Sequence, residues 1–293
     1  MSLFCNVCAP QVAEALECTG RVQATLDFDA RRFSRSNLWQ LKTIDGEISY
    51  LFATIHLADQ RITQLRDPVV QTLATSTSFG MEMVLDDNAI STMAKTSRLD
   101  DSRSLSEILD PDLFKKTTVL LQRYGFSKRV VESMKPWAAF TTLSLPPEQS
   151  GAPLDLLLMF EARRLRIPVF GLETVDEQIA VFDNLSFADE VELLRDAVCH
   201  YDEIQADIET MVTHYLTQDL DALMQMALRY RSPLQDRFLE VLLWERNRRM
   251  VAKMVPHLIA GGTFIAIGAL HLPGPGGVLD LLGKRGYTLE PIY

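Results

Sequence analysis

The chain has 293 residues, 47% of them hydrophobic, enough to bury a large core as one big domain or a core with a sizeable insertion. Its 29 Lys and Arg stand against 39 Asp and Glu, and a formal charge of −10 repels a phosphate backbone, so no nucleic acid partner is expected. No window approaches the roughly 20 apolar residues of a membrane-spanning helix, so no transmembrane segment is expected either.

Residues 1–36 are expected to form a partly ordered tail, with a single domain over 37–293. The tail carries neither the basic n-region nor the apolar h-region of a signal peptide, which taken literally implies the cytoplasm. Three of the four cysteines (Cys5, Cys8, Cys18) nevertheless crowd it. A disulfide in a tail whose leader has been removed would imply the periplasm or cell envelope instead. Cys5-x-x-Cys8 has metal or redox spacing, but no second pair follows and Cys199 is far away in sequence.

In chain order, "NLWQLKTIDGEISYLFATIHLAD" predicts a β-hairpin: one strand from Leu38, a turn at Asp45-Gly46, and a second strand from Ile48 to Ile55 that ends at His56. Asp67-Pro68 predicts a helix start with a capping aspartate and proline at its first position. "FGMEMVL", Phe79 to Leu85, predicts a strand carrying Glu82 among apolar neighbours. Short amphipathic helices are expected over about 88–145, with a capping box at Ser104 to Glu107. The breaker-rich "PPEQSGAPLD" follows, then a helix over 154–165, a buried strand over Ile167 to Glu173, and a helix over 176–184. A second long helical region is expected over about 186–258. A strand from Thr263, the turn Gly274-Pro275-Gly276-Gly277, a helix over 278–283 and a closing strand complete the chain. The predicted class is α/β, a central β-sheet flanked by helices with long helical insertions.

The chemistry concentrates at two strand ends. "SYLFATIHL" and "TFIAIGALHL" each run as a buried strand, then a small residue (Ala53 or Gly268), two more positions, and a histidine (His56 or His271). A small residue admits a ligand or a second backbone, and the carboxyl edge of an α/β sheet is where ligands bind. Two neutral imidazoles and a carboxylate can hold a divalent metal, with Glu82 as the third group. Glu82 is costly in an apolar strand unless it is metal-bound or paired, and a salt bridge to Arg246 is the plain structural alternative. His200, His214 and His257 are expected in solvated, core or helix-end roles.

These motifs, with "FGMEMVLDD", "PVFGLETVDEQIAVFDNL" and the C-terminal "WERNRRMVAKMVPHLIAGGTFIAIGALHLPG", resemble the TraB/GumN family, to which Tiki-like proteins belong and the erythromycin-esterase/ChaN-like proteins are related. The resemblance runs from about Asn37 to Tyr293. It departs at Ala53, where the family's first Gly-x-x-His motif has glycine. It implies a metal-dependent hydrolase, peptidase-like and acting on a peptide or other acyl substrate, with His56, Glu82 and His271 at a manganese, cobalt or zinc ion. It also implies that Arg246 stabilises an oxyanion, and that Asn247, Asp155 and Glu173 line the substrate, although a helix cap and a strand-end salt bridge explain the last two as well. Members are commonly exported or membrane-associated, which implies the cell envelope. Two alternatives remain: a metal-free general base, and a non-catalytic envelope protein that sequesters a peptide or polysaccharide precursor.

Overall fold

The computed structural model describes residues 16, 18, 20–23, 33, 35–148 and 151–293. Leu38–Lys42 (β1) and Ile48–Thr54 (β2) form the expected antiparallel hairpin, with Gly46 at φ 95° in its turn, where glycine has no Cβ to clash. Ser78–Met81 (β3), Val169–Gly171 (β4), Thr263–Gly268 (β5) and Thr288–Pro291 (β6) complete a six-stranded sheet of order β4-β3-β5-β2-β1-β6. Strands β4, β3, β5 and β2 run parallel, and β1 is antiparallel to both its neighbours. With helices around it, this is the α/β class that the sequence predicts. Central β5 reads Thr-Phe-Ile-Ala-Ile-Gly and is buried except at Gly268, the continuous apolar pattern of a strand covered on both faces.

This topology positions the site. β5 lies between β2 and β3, so whatever follows their carboxyl ends converges from both sides on the end of β5. β3 is shorter than predicted: it stops at Met81, and Glu82 stands just past its end. The strand predicted over Ile167 to Glu173 likewise contracts to β4. Asp67 is not a cap; Arg66 holds the cap position without a side-chain bond, and Asp67 enters the helix Asp67–Thr75 beside Pro68. The capping box at Ser104 and Glu107 is formed.

The two helical regions bury their apolar faces against each other. Leu113, Leu121, Trp137 and Leu143 of the first share a core with Leu194, Val198 and Tyr201 of the second, separate from the core around the sheet. A Cys18–Cys199 disulfide ties the N-terminal segment to the end of the helix Phe187–Cys199. It makes Cys199, set aside by its distance in sequence, the partner of a tail cysteine. The expectations on Cys5 and Cys8 fall outside the described residues.

Candidate functional site

Backbone bonding between the two segments continues past the ends of β3 and β4: Leu172 N–H donates to the Met81 carbonyl at 2.8 Å and Glu173 N–H to the Glu82 carbonyl at 2.7 Å. The two buried carboxylates therefore stand side by side, a repulsive pair unless a cation joins them. Arg246 is that cation. Its Nη2 donates to Glu82 Oε2 at 2.5 Å and to Glu173 Oε2 at 2.6 Å, and its Nε to Glu173 Oε1 at 3.0 Å. The other Glu82 oxygen, Oε1, accepts the Gly268 N–H at 2.7 Å. Burial by itself would raise the Glu82 carboxyl, but His271 and Arg246 beside it hold it well below the usual carboxylate range.

His271 follows β5 in a single 3-10 turn and is 4% exposed. Its tautomer follows from its neighbours. Asn247 Nδ2 donates to the Gly276 carbonyl at 2.9 Å, which turns Asn247 Oδ1 towards His271 Nδ1 at 2.6 Å. Nδ1 therefore carries the hydrogen, and the Nε2 lone pair faces Arg246 Nη1 at 3.3 Å and Glu82 Oε1 at 3.8 Å. Burial pushes this imidazole down to about 4, so it is neutral at physiological pH.

His56 follows β2 on the opposite side of β5. Its Nδ1 donates to Asp155 Oδ2 at 2.8 Å, and Thr54 donates its hydroxyl to Oδ1 of the same carboxylate. Leu154 N–H donates to the Leu57 carbonyl and pins the start of the helix Leu154–Arg164 to this turn. The Asp155 charge raises His56 to about 9 against the cost of burial. Because 61% of the His56 side chain is exposed, water screens part of that attraction.

Gly268 is where these groups meet. A Cβ there would lie 3.1 Å from Glu82 Oε1, 3.5 Å from His271 Cδ2 and 3.9 Å from His56 Nε2. The two small residues of the repeated motif are not equivalent in the sheet, since Ala53 pairs with Ile267 and Thr54 with Gly268. Ala53 lies within an ordinary strand with no positive φ, so nothing at this position requires glycine.

His56, Glu82, His271 and Arg246 are thus brought together. Asn247 and Glu173, expected at the substrate, are buried behind the site, where Asn247 orients His271 and Glu173 holds Arg246. Asp155 meets His56 instead of standing as a helix cap. Thr54, and Tyr215, whose hydroxyl donates to the Ala53 carbonyl at 2.8 Å, were missed. Thr54 lies inside the motif and was open to notice; Tyr215 carries no local signal. His200 bonds to Asp196 and His257 stacks on Phe170, both away from this group.

Among the described residues, no three His, Cys, Asp or Glu side chains form a ready metal cage, and Arg246 bonds to both Glu82 and His271. The donor chemistry nonetheless suits a divalent ion. Both imidazoles have Nδ1 fixed by an oxygen, the outer-shell pattern that aims Nε2 at a metal. Gly268 leaves open the space between them and Glu82.

The sequence profile of the TraB/PrgY/gumN family matches residues 37–291. The chain belongs to this family. Its relatives include Metalloprotease TIKI1 of Danio rerio, 24% identical over 314 residues, covering 87% of this chain and 63% of the relative. Metalloprotease TIKI2 of the same species is 25% identical, covering 83% of this chain and 58% of the relative. Metalloprotease TIKI1 of Homo sapiens is 25% identical, covering 87% and 61%. This TraB/PrgY/gumN chain therefore spans about three fifths of the length of the curated relatives it matches. No solved structure matches it. Among its described residues, no helix is long and apolar enough to cross a membrane.

Proposed function

We propose that this chain is a metal-dependent, peptidase-like hydrolase whose divalent ion, manganese, cobalt or zinc, is held by His56, Glu82 and His271. The observation that carries this reading is the convergence of those side chains on Gly268 with both imidazoles already oriented through Nδ1. The name its relatives carry, metalloprotease, supports it. A divalent ion held there would supply Lewis-acid polarisation of a carbonyl and acidify a water molecule. Glu82, kept ionised by Arg246 and the Gly268 N–H, is a poor base and serves as a charged ligand. Asp155 and Asn247 position the imidazoles. Arg246, fixed by two carboxylates, keeps Nη1 beside His271, where it can stabilise negative charge developing on a peptide carbonyl. The substrate is a peptide or other acyl compound. The Cys18–Cys199 disulfide supports an oxidising location, the periplasm or cell envelope.

One observation favours a second reading, binding without turnover: Arg246 Nη1 faces the His271 lone pair that a metal would need. The Asp155 charge favours a proton on the His56 ring, which weighs against a metal-free mechanism with His56 as base and means that an ion held there would displace that proton.

Calorimetry and elemental analysis of the purified protein with manganese, cobalt and zinc test the proposal, beside His56→Ala, Glu82→Ala and His271→Ala checked for folding by circular dichroism. Stoichiometric binding is expected in the wild type and a loss of at least about tenfold in affinity in each variant. A wild type that takes up none of these ions would end the metal reading.

A further inference from the structure

Ala53, next to last in β2, is held through both of its backbone groups. Its N–H donates to the Asn37 carbonyl at 2.7 Å, just before β1 begins, and its carbonyl accepts the Tyr215 hydroxyl at 2.8 Å. Tyr215 lies in the last turn of the helix Tyr201–Leu216, is 4% exposed, and belongs to the core around the sheet. Burial, with the Asp155 charge adding to it, pushes the phenol well above its usual range, so the hydroxyl stays a donor. The helix end is itself fastened to the chain that enters β1. Asn37 Nδ2 donates to the Tyr215 carbonyl at 2.9 Å, Ser36 N–H donates to the Gln218 carbonyl at 3.3 Å, and Arg35 bridges to Asp219.

The His56 turn depends on the peptide that Tyr215 holds. The Ala53 carbonyl and the Thr54 nitrogen share one plane, so fixing the carbonyl fixes the direction in which Thr54 starts. Thr54, 1% exposed, donates its hydroxyl to Asp155 Oδ1, and Asp155 Oδ2 accepts from His56 Nδ1 at 2.8 Å. One line of bonds therefore runs from Tyr215 through Ala53, Thr54 and Asp155 to His56. Support matters most at this imidazole, because 61% of its side chain is exposed against 5% for His271, and packing does less to fix it.

We propose that Tyr215 is a positioning residue for His56: its hydroxyl fixes the Ala53–Thr54 peptide and, through Thr54 and Asp155, the ring that an ion would meet. The inference rests on the reading of His56 as a ligand and adds to it a support drawn from the second helical region. Tyr215→Phe keeps the buried ring and deletes one oxygen, so it reaches this line of bonds with little disturbance of the core.

The test first reads the metal-free protein. With the five histidines labelled with carbon-13 at Cε1, and His56 assigned by its loss in His56→Gln, NMR relaxation in EDTA gives the order parameter of each ring. His56 is expected near the rigid value of about 0.85 in the wild type and below about 0.6 in Tyr215→Phe, with His271 unchanged. Tyr124→Phe is the control. It loses a hydroxyl that donates to the Leu145 carbonyl at 2.6 Å beside the separate helical core, and should lower the thermal midpoint while leaving the His56 ring as it is. Should Tyr215→Phe melt below the measuring temperature, Asn37→Ala, which releases the helix end from the strand, decides in the same way. An unchanged His56 ring in the variant, a mobile ring already in the wild type, or equal loosening in Tyr124→Phe overturns the proposal. Zinc calorimetry on the same proteins is expected to show an affinity about three- to tenfold lower in Tyr215→Phe. The two readings fail separately. A wild type that takes up no ion but loses ring order in Tyr215→Phe removes the hydrolase and keeps Tyr215 as the support of His56, whereas zinc binding with an unmoved ring removes that role and leaves the hydrolase.

Discussion

A Cβ on Gly268 would stand 3.1 Å from Glu82 Oε1, an oxygen that cannot easily retreat because Arg246 holds the other end of the carboxylate at 2.5 Å. The backbone at Gly268 is ordinary, with φ −53°, so alanine there is resisted by contact alone. Gly268→Ala is therefore expected to shift Glu82 by a few tenths of an ångström and to lower kcat/KM on a peptide substrate by about 10- to 100-fold, since misplacement near 1 Å already costs about 10²-fold. The thermal midpoint should move by only a few degrees. Ala53→Gly is the control: its strand has no use for glycine's freedom, and the change should leave activity intact while costing about 0.5–1 kcal/mol of stability. Equal activity in wild type and Gly268→Ala would show that close packing at Gly268 does not set the site. The same residue pair marks what was legible in the sequence. Two small residues before two histidines stood out as a repeat, and an isolated glutamate in an apolar stretch announced a partner. That the two small residues are not equivalent depends on a one-residue offset in strand register, which pairs Thr54 with Gly268 and appears in no local pattern.

Elements carry the supporting groups, and their legibility followed their period. Helices with apolar residues at three and four, and strands bounded by turn residues, were readable. The π-helical turn Glu240–Glu245, which delivers Arg246 and Asn247 on consecutive buried positions, was not, because one wide turn inside a helical run leaves the apolar pattern almost unchanged. Nor was the use of Glu190, which lies in the first turn of one helix and accepts an N–H from the first turn of another. Burial raises this carboxyl to about 7. A carboxyl raised above its unfolded value binds more protons in the folded state, so its contribution is fully present below about pH 4.5 and is lost as pH rises through 7. Glu190→Gln keeps an acceptor for Trp137 but cannot ionise. The variant should match the wild type in urea melts at pH 4 and exceed it by up to about 3 kcal/mol at pH 8. Parallel pH profiles of the two proteins would show that Glu190 ionises in the folded state as readily as in the unfolded chain.

For the molecule as a whole, the described N-terminal residues are tied to the helical layer by a disulfide, by ion pairs of Arg21 and by the bridge Gln23–Tyr230. The Cys18–Cys199 bond closes a loop across a separation of 181 residues, and the ion pair of Arg21 with Asp196 at 2.8 Å lies beside it. Four cysteines allow several pairings, and sequence separation hides the right one, so the tail cysteines could suggest a tether without naming its anchor. Cys199 ends a helix whose Leu194 and Val198 enter the core shared by the two helical regions. The bond therefore restrains the helical layer and leaves the row of groups at the sheet edge untouched. Closing so long a loop removes much unfolded-state entropy, and Cys18→Ser/Cys199→Ser should lose about 2–4 kcal/mol. At about 2–4 °C per kcal/mol, the thermal midpoint should fall by roughly 5–15 °C. Hydrolysis at 25 °C, well below the melt, should stay within about twofold of wild type, because no group around Gly268 leans on the tether. A drop in activity at 25 °C without a drop in the midpoint would reverse this assignment, making the N-terminal segment part of the working site instead of a strap across the helical layer.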